Sequence, residues 1–349
     1  MTSLKRSPRR SVAGFIVLGV VMLLCLATTF FLLVGTVSAS EAGPAFEAVK
    51  RLGRGINILG YDGIWDGGVD APFKFTNFQR IRQAGFQHVR INFFAFKYMN
   101  AQGRVDPVVL AALDDVLVAA IAAGLTPVID EHNGDECERD ISNCRRLLVA
   151  FWTQIASRYL GKYPGAIFEV LNEPGGNMGH DDWNELALMV LKAIRALDKS
   201  RLVIVAALNS EDPQELRALA LPEADPSIIL TVHYYKPMSF THQGAPWIPN
   251  GPPAGVPWGS NADRNAVTRD FLAIKRWAAA QRRPVYLGEF GVYDKAEIAS
   301  RASYLSFLAR SSEQNGWAWA SWQFDHDFAV FNTERDEWNA PLLRALIPP

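Results

Sequence analysis

The chain has 349 residues, 49% apolar and 20% charged, a composition that excludes disorder and supplies one large domain or two ordinary ones. Lys and Arg number 35 against 36 Asp and Glu, so no charge excess points to nucleic acid or to a strongly acidic ligand. The balance shifts along the chain: Lys5, Arg6, Arg9 and Arg10 precede residue 40 with no acid among them, and the part from Ser40 onward is net acidic.

In chain order, residues 1–10 form a basic flank and residues 11–40 carry no charged residue at all. The run "FIVLGVVMLLCLATTFFLLVG" among them is long enough to cross a bilayer. Two readings stay open. The small residues of "VSA" before Ser40 suit a signal peptidase, whereas an apolar stretch longer than the roughly 7–15 residues of a usual signal core suits a transmembrane anchor helix. Either way the positive flank stays cytoplasmic and residues 41–349 are exported, to be secreted, periplasmic or tethered to the inner membrane. Cys25 lies in the apolar segment, which leaves Cys137 and Cys144 as the pair in the exported part. Export favours a short-loop disulfide between them over two reduced thiols in a mobile loop. The spacing does not resemble a zinc site, which would want two more soft ligands nearby.

After residue 50 short apolar runs alternate with longer amphipathic ones. Candidate strands are "GINILGY" from Gly55, "HVRINF" from His88, "TPVIDEH" from Thr126, "IFEVLNE" from Ile167, "LVIVAAL" from Leu202, "IILTVHYY" from Ile228, "PVYLGEF" from Pro284 and "WAWASWQF" from Trp317. Their near-continuous Val, Ile and Leu content is what parallel strands covered on both faces require. Between them, Trp183, Leu186, Ala187, Val190, Leu191, Ile194 and Leu197 recur at helical spacing. A second helix is expected to start at Asp106 as N-cap with Pro107 in its first turn, and to stop at Gly124. Eight strands with helices between them predict an α/β fold, a closed (β/α)8 TIM barrel, as one domain over residues 41–349. An open doubly wound sheet is the alternative, but its Gly-x-Gly-x-x-Gly turn and any phosphate-cradling Gly-Lys-Ser/Thr run are missing. The Pro-rich stretch Lys236 to Ala262, with Trp247 and Trp258, breaks the rhythm and reads as a stiffened loop that covers something.

In such a barrel the C-terminal strand ends open onto the active site. Arg90, His132, Asn172, Glu173, His233, Tyr235, Glu289 and Trp322 all fall on or just past strands. Singly, each has a structural explanation as a satisfied buried group; six strands aiming such groups at one rim is harder to explain that way. Glu173 and Glu289 follow the fourth and seventh strands, which face each other across a closed barrel. Two carboxylates around one cavity fit glycosidic cleavage, with retention at about 5–5.5 Å separation and inversion at about 6.5–9.5 Å. Arg90 and the Tyr235 hydroxyl, if they reach Glu289, would keep it ionised as nucleophile. Glu173, after an apolar strand, would favour its neutral form as acid/base. Asn172 would donate to the sugar 2-hydroxyl.

The stretches "VRINF", "DEHN", "VLNEP", "VHYY", "LGEFG" and "WASWQF", in that order on successive strands, closely resemble the cellulase-type family 5 of retaining glycoside hydrolases. The resemblance covers roughly residues 50 to 340. It implies a (β/α)8 barrel with Glu173 as acid/base, Glu289 as nucleophile and no cofactor. It also implies Arg90, His132, Asn172, His233, Tyr235 and Trp322 as surrounding and sugar-contact residues. One stretch departs from the family pattern: "DEHNGDEC" lacks the second aromatic or imidazole that often follows the His. Its acids, with Asp130 and Glu131 on opposite faces of a strand, do not make a metal site.

Aromatic rings stack on sugar faces, which makes Trp322 the expected platform, with Trp65, Trp247, Trp258 and Trp319 as further candidates; Trp319 falls on the opposite strand face and reads as packing. The resemblance makes a β-linked glucan the substrate class, most often β-1,4, with endo action expected and a monomer as the acting form. β-1,3-glucan, mannan and transglycosylation on an exported bacterial polysaccharide remain open. Outside hydrolysis, the readings to separate are a non-catalytic glycan-binding barrel and a membrane-held biosynthetic partner.

Overall fold

The structure, a computed structural model, describes residues 43–60, 62–66, 71–209 and 214–349. The basic flank, the apolar segment of residues 11–40, Cys25 and Tyr61 lie outside the described residues. Among those described, no helix is long and apolar enough to cross a membrane.

Eight parallel strands close into a barrel in sequence order: β1 (Arg54–Ile58), β2 (His88–Phe93), β3 (Thr126–Glu131), β4 (Ile167–Glu169), β5 (Val203–Ala206), β6 (Ile228–His233), β7 (Val285–Glu289) and β8 (Ala318–Ser321). Arg54 pairs with Trp319 and Ile56 with Ser321 to shut the ring. The strands start where the apolar runs start, but several stop short of them. β4 ends at Glu169, although the run continues to Glu173. The chain there leaves the regular ladder while staying tied to it, with Val170 N–H donating to Ile204 O at 3.0 Å and Asn172 N–H to Glu131 O at 2.8 Å.

Alternation along each strand divides the apolar residues into two cores. Outward residues pack under the surrounding helices, among them His180–Leu197, whose buried residues Trp183, Leu186, Ala187, Val190, Leu191 and Ile194 keep helical spacing. The indoles of Trp152 and Trp183 also donate to Val170 O (2.8 Å) and Ala206 O (2.9 Å), pinning helices to the ends of β4 and β5. Helix Pro107–Ala122 begins where expected: the Asp106 carboxylate accepts from Val108 N–H at 2.7 Å, and Gly124 turns the chain at φ +80°.

Inward residues fill only the N-terminal half of the barrel. Val128, Ile167, Ile204, Ile229, Tyr286, Ala318 and Ala320 form a small core with Ala45, Ala48, Val49 and Leu52. Those last four belong to helix Pro44–Leu52, an element not expected from the strand–helix rhythm, which plugs the barrel floor with its apolar stripe. His88 joins plug to wall: Nδ1 donates to Leu52 O at 2.9 Å and Nε2 accepts from the Tyr286 hydroxyl at 3.1 Å. Accepting from Tyr286 needs the neutral ring, and burial pushes its pKa down to about 4, against a smaller opposing contribution from the Leu52 carbonyl, which either form of the ring can meet.

This sets a pH dependence. A histidine held neutral in the fold stabilises it fully above its ordinary value of 6.5, and that stabilisation is lost as pH falls through about 4. The difference in unfolding free energy between wild type and His88→Gln, from urea titrations, should narrow by on the order of 3 kcal/mol between pH 6.5 and 4. A pH-independent difference would show that the ring is not buried neutral.

Candidate active site

With the floor plugged, the polar inward residues gather at the opposite, C-terminal end, around a cleft of about 500 Å³. Glu289 ends β7, and Glu173 stands four residues past β4. One carboxylate oxygen of each and one nitrogen of His233 all lie within 4.8 Å of one another. Glu173 has φ +41°, a left-handed conformation that costs a non-glycine residue roughly 1 kcal/mol or more. That turn ends the apolar run and places the side chain on the cleft wall.

Behind the carboxylates sits Arg90, wholly buried in the barrel. Its guanidinium donates to both oxygens of Glu169 (2.8 and 3.0 Å), to Glu289 Oε1 (2.5 Å), to Asn57 Oδ1 (2.9 Å) and to Asn172 Oδ1 (2.9 Å), and pairs with Asp130 Oδ2 at 3.0 Å. No donor is left for a sugar. Arg90 therefore positions the cleft's groups from behind and does not touch a ligand, a correction to its grouping with sugar contacts. The Tyr235 hydroxyl donates to Glu289 Oε2 at 2.8 Å, so both oxygens of Glu289 act as acceptors and its rotamer is held. Burial would raise Asp130, but Arg90 and His132 outweigh it and keep Asp130 below the usual range; burial wins at Glu169, which is raised despite Arg90.

His233 lies between the two glutamates, with Nδ1 2.7 Å from Glu173 Oε1 and 3.7 Å from Glu289 Oε2. Burial alone would lower the imidazole, yet the charge of Glu289, the hydrogen bond to Glu173 and its charge push it up to about 9. The same bond, against burial, holds Glu173 below its ordinary value. The expectation that an apolar approach leaves Glu173 neutral is thus corrected: the residue ends the apolar run but lies beside a cationic ring, and the pair shares one proton. The register puts His233 there. β6 and β7 slip by one residue, so His233 pairs with Glu289 and Gly288 is skipped. A Cβ on Gly288 would lie 2.6 Å from Thr231 Oγ1 and 3.0 Å from His233 Nε2, so the imidazole occupies space that only glycine leaves open.

The walls are aromatic and acidic. His132 stacks on Trp322 (5.6 Å, 4°) and is fixed by Nδ1 at 2.5 Å from Asp130. Trp247, from the Pro-rich loop, is 47% exposed and meets Tyr293 edge-on at 4.8 Å. The other indoles lie elsewhere. Trp65 is buried against Phe93 at 4.8 Å in the outer core, Trp258 packs on Tyr304 at 5.1 Å, and Trp319 is wholly buried. Trp65, in the segment after β1, is thus packed on β2 beneath the surface, which removes it from the candidate sugar contacts. The stretch after β3 forms a short helix, Gly134–Arg139, clipped by a Cys137–Cys144 disulfide to the next helix. Gly134 packs against the Asn172 carbonyl, where a Cβ would approach to 2.6 Å, so the clipped helix braces the segment carrying Glu173. It brings Asp135 and Glu138 to the cleft, while Asp130 faces Arg90 and Glu131 faces away, accepting from Asn133 N–H. Asp327 and Phe328 complete the lining, which among the described residues contains no Lys or Arg.

Glu173, His233 and Glu289 are close enough to hold a cation by donor count, but Arg90 and an imidazolium already supply positive charge to that position. Asn57, Asn92 and Glu169 were not singled out from sequence. The period-2 set His88, Arg90, Asn92 was a usable signal for the polar inward face, whereas Asp327, Phe328 and His242 come from irregular segments that carry none.

Residues 51–327 match the family model for cellulase (glycosyl hydrolase family 5). Endoglucanase H of Acetivibrio thermocellus is 28% identical over 328 residues, covering 89% of this chain; the chain spans about a third (34%) of that relative's length. Thermotoga maritima Cel5A, solved in complex with cellobiose and with mannotriose, is 37% identical, with TM-score 0.82 over 87% of this chain and 100% of that one. Cellulose synthase subunit Z (CcsZ) from Clostridioides difficile is 28% identical, with TM-score 0.80 over 85% and 99%.

The slip at Gly288 gives a direct test. Gly288→Ala should drive His233 off Glu173 and lower kcat by about 10²-fold with the fold intact by far-UV circular dichroism. An unchanged kcat would mean that the imidazole is not positioned in this way.

Proposed function

The chain belongs to glycosyl hydrolase family 5, and we propose that it is a retaining endo-β-1,4-glucanase with Glu289 as nucleophile and Glu173 as acid/base. The observation that carries this reading is the approach of the two carboxylates to within 4.8 Å across the cleft, which leaves no room for the water an inverting enzyme places between them. Glu289, held by Arg90 and Tyr235, attacks the anomeric carbon as the glycosidic oxygen takes a proton from Glu173, giving a glycosyl ester and a free sugar hydroxyl. Water then attacks the anomeric carbon of that ester, breaking its bond to the Glu289 oxygen, losing its proton to Glu173 and releasing Glu289 as the carboxylate. Asn172 commits Oδ1 to Arg90 and keeps its N–H groups for the sugar 2-hydroxyl.

His233 supplies the proton balance. Its charge is favoured by the negative Glu289, so ester formation weakens its hold on the proton and passes it to Glu173 when the leaving oxygen needs it; the attacking water restores it. The cleft's carboxylates, with no Lys or Arg among the described lining residues, suit an uncharged polymer, and the planar pair Trp322 and His132 suits a sugar face. Relatives named endoglucanases and a cellobiose complex favour β-1,4-glucan. The mannotriose complex of Cel5A supports mannan as a second substrate. The N-terminal apolar segment and the similarity to a cellulose synthase subunit favour an exported enzyme, secreted, periplasmic or membrane-tethered, that acts on the cell's own glucan.

A 2-fluoro cellobioside trap followed by peptide mapping should label Glu289; a label elsewhere, or inverted product by NMR, overturns the assignment. Glu173→Gln should lower kcat by about 10²–10⁴-fold on cello-oligosaccharides yet barely slow attack on a dinitrophenyl glycoside, whose leaving group needs no acid.

The shared proton makes a separate prediction. The alkaline limb of kcat/KM should lie near pH 9, and His233→Gln should move it to lower pH, because Glu173 then holds the proton alone. A limb that stays in place would detach the imidazole from proton transfer.

A further inference from the structure

Four arginines are buried among the described residues, and three are held by carboxylates or by three or more hydrogen bonds. Arg90 has its carboxylates. Arg201 pairs with Asp198 and donates to the carbonyls of Tyr159, Lys162, Tyr163 and Ala166. Arg283 donates to the carbonyls of Pro222, Glu223 and Asp225. Arg301, 6% exposed, makes one 3.4 Å bond, from Nη2 to Ala329 O, leaves Nε without a partner, and has no carboxylate within ion-pairing distance among the described residues. A buried guanidinium without a counterion costs several kcal/mol.

Arg301 lines a cavity of about 340 Å³. The amides around it have spent their acceptors inward. Asn332 Oδ1 accepts from Glu334 and Arg335 N–H, and Asn339 Oδ1 caps a helix by accepting from Leu342 N–H, so each keeps its N–H₂ group for a ligand. Thr333 and His326 also face the cavity. The acids on its rim are Asp294, which pairs with Lys295 Nζ at 3.2 Å and whose charge favours the Arg301 cation from beyond ion-pairing distance, and the exposed Glu334.

We propose that this cavity is a binding site for an oxyanion, a carboxylate or phosphate group, seated on Arg301 with the amides of Asn332 and Asn339. Its place gives it a route to the cleft. Ala329, which accepts from Arg301, follows Asp327 and Phe328 in the segment that forms the cleft wall, and Asp294 N–H donates to Asp327 O at 2.9 Å. An anion there would draw Arg301 and the amides together behind that wall.

The test reads binding, not hydrolysis, and so stands apart from the glucanase assignment. Thermal unfolding of the wild-type protein is followed with inorganic phosphate and with glucuronate at matched ionic strength, against chloride. Saturating ligand should raise Tm by about 2–5 °C; whichever of the two succeeds identifies a phosphate or a carboxylated-sugar source. Arg301→Met should be as stable as wild type or more so in chloride, since it removes a buried charge that no carboxylate meets directly, and should lose the shift. Asn332→Asp, which leaves Arg301 in place and adds a repelling charge at an exposed position, should lose it too. The inference is overturned if neither anion shifts the wild type, if the shift survives in both variants, or if Arg301→Met is markedly destabilised in chloride.

Discussion

The cleft depends on one guanidinium in a place without water. Arg90 stands in the barrel with Asp130, Glu169 and Glu289 around it, an excess of negative charge that would be untenable at that depth without the cation and without nearly complete hydrogen bonding. Because the fork of Arg90 is planar and rigid, each partner it binds is also oriented by it. Glu289 and Asn57 come from two strands and Asn172 from the segment after a third, and each is held at 2.5–2.9 Å from a single side chain. The barrel brings these strand ends together; Arg90 sets the directions in which they point.

The remaining negative charge falls on the cleft side, where His233 takes it up. A histidine between two carboxylates becomes a cation because of them, and its charge in turn lowers the one it touches. Protonation in this site belongs to the pair and not to either residue. The same chain contains the opposite case at the other end of the barrel, where His88, between a carbonyl and a phenol, is kept neutral. Two buried imidazoles therefore carry different charges, and the difference comes from the acids that surround one and are absent around the other.

Positions such as Gly288, Gly134 and Glu173 show how local backbone serves this arrangement. The strand slip at β6 and β7 needs a residue without a side chain, the braced helix needs close backbone contact with Asn172, and Glu173 adopts a left-handed turn that ends the apolar run after β4. A barrel does not require any of the three. They are departures from regular structure at the rim, supported by regular structure below it, where the plugging helix and the inward Val, Ile and Ala residues fill the floor.

Much of this was readable from sequence because strands buried on both faces must be apolar and must end where polarity begins. The eight apolar runs, their order, and polar residues such as Asn172, Glu173 and Glu289 at their ends follow from that rule, and the motifs they spell point to family 5. What the runs could not convey was geometry across the barrel. That Arg90 is consumed by carboxylates and not by sugar, that Trp65 is core, and that Glu173 shares a proton with His233 each depend on residues 28 to 199 positions apart. Hydrophobic periodicity is a local property and can be read along the chain, whereas the charge and exposure of a side chain depend on its neighbours in space, and only the closed barrel decides which those are.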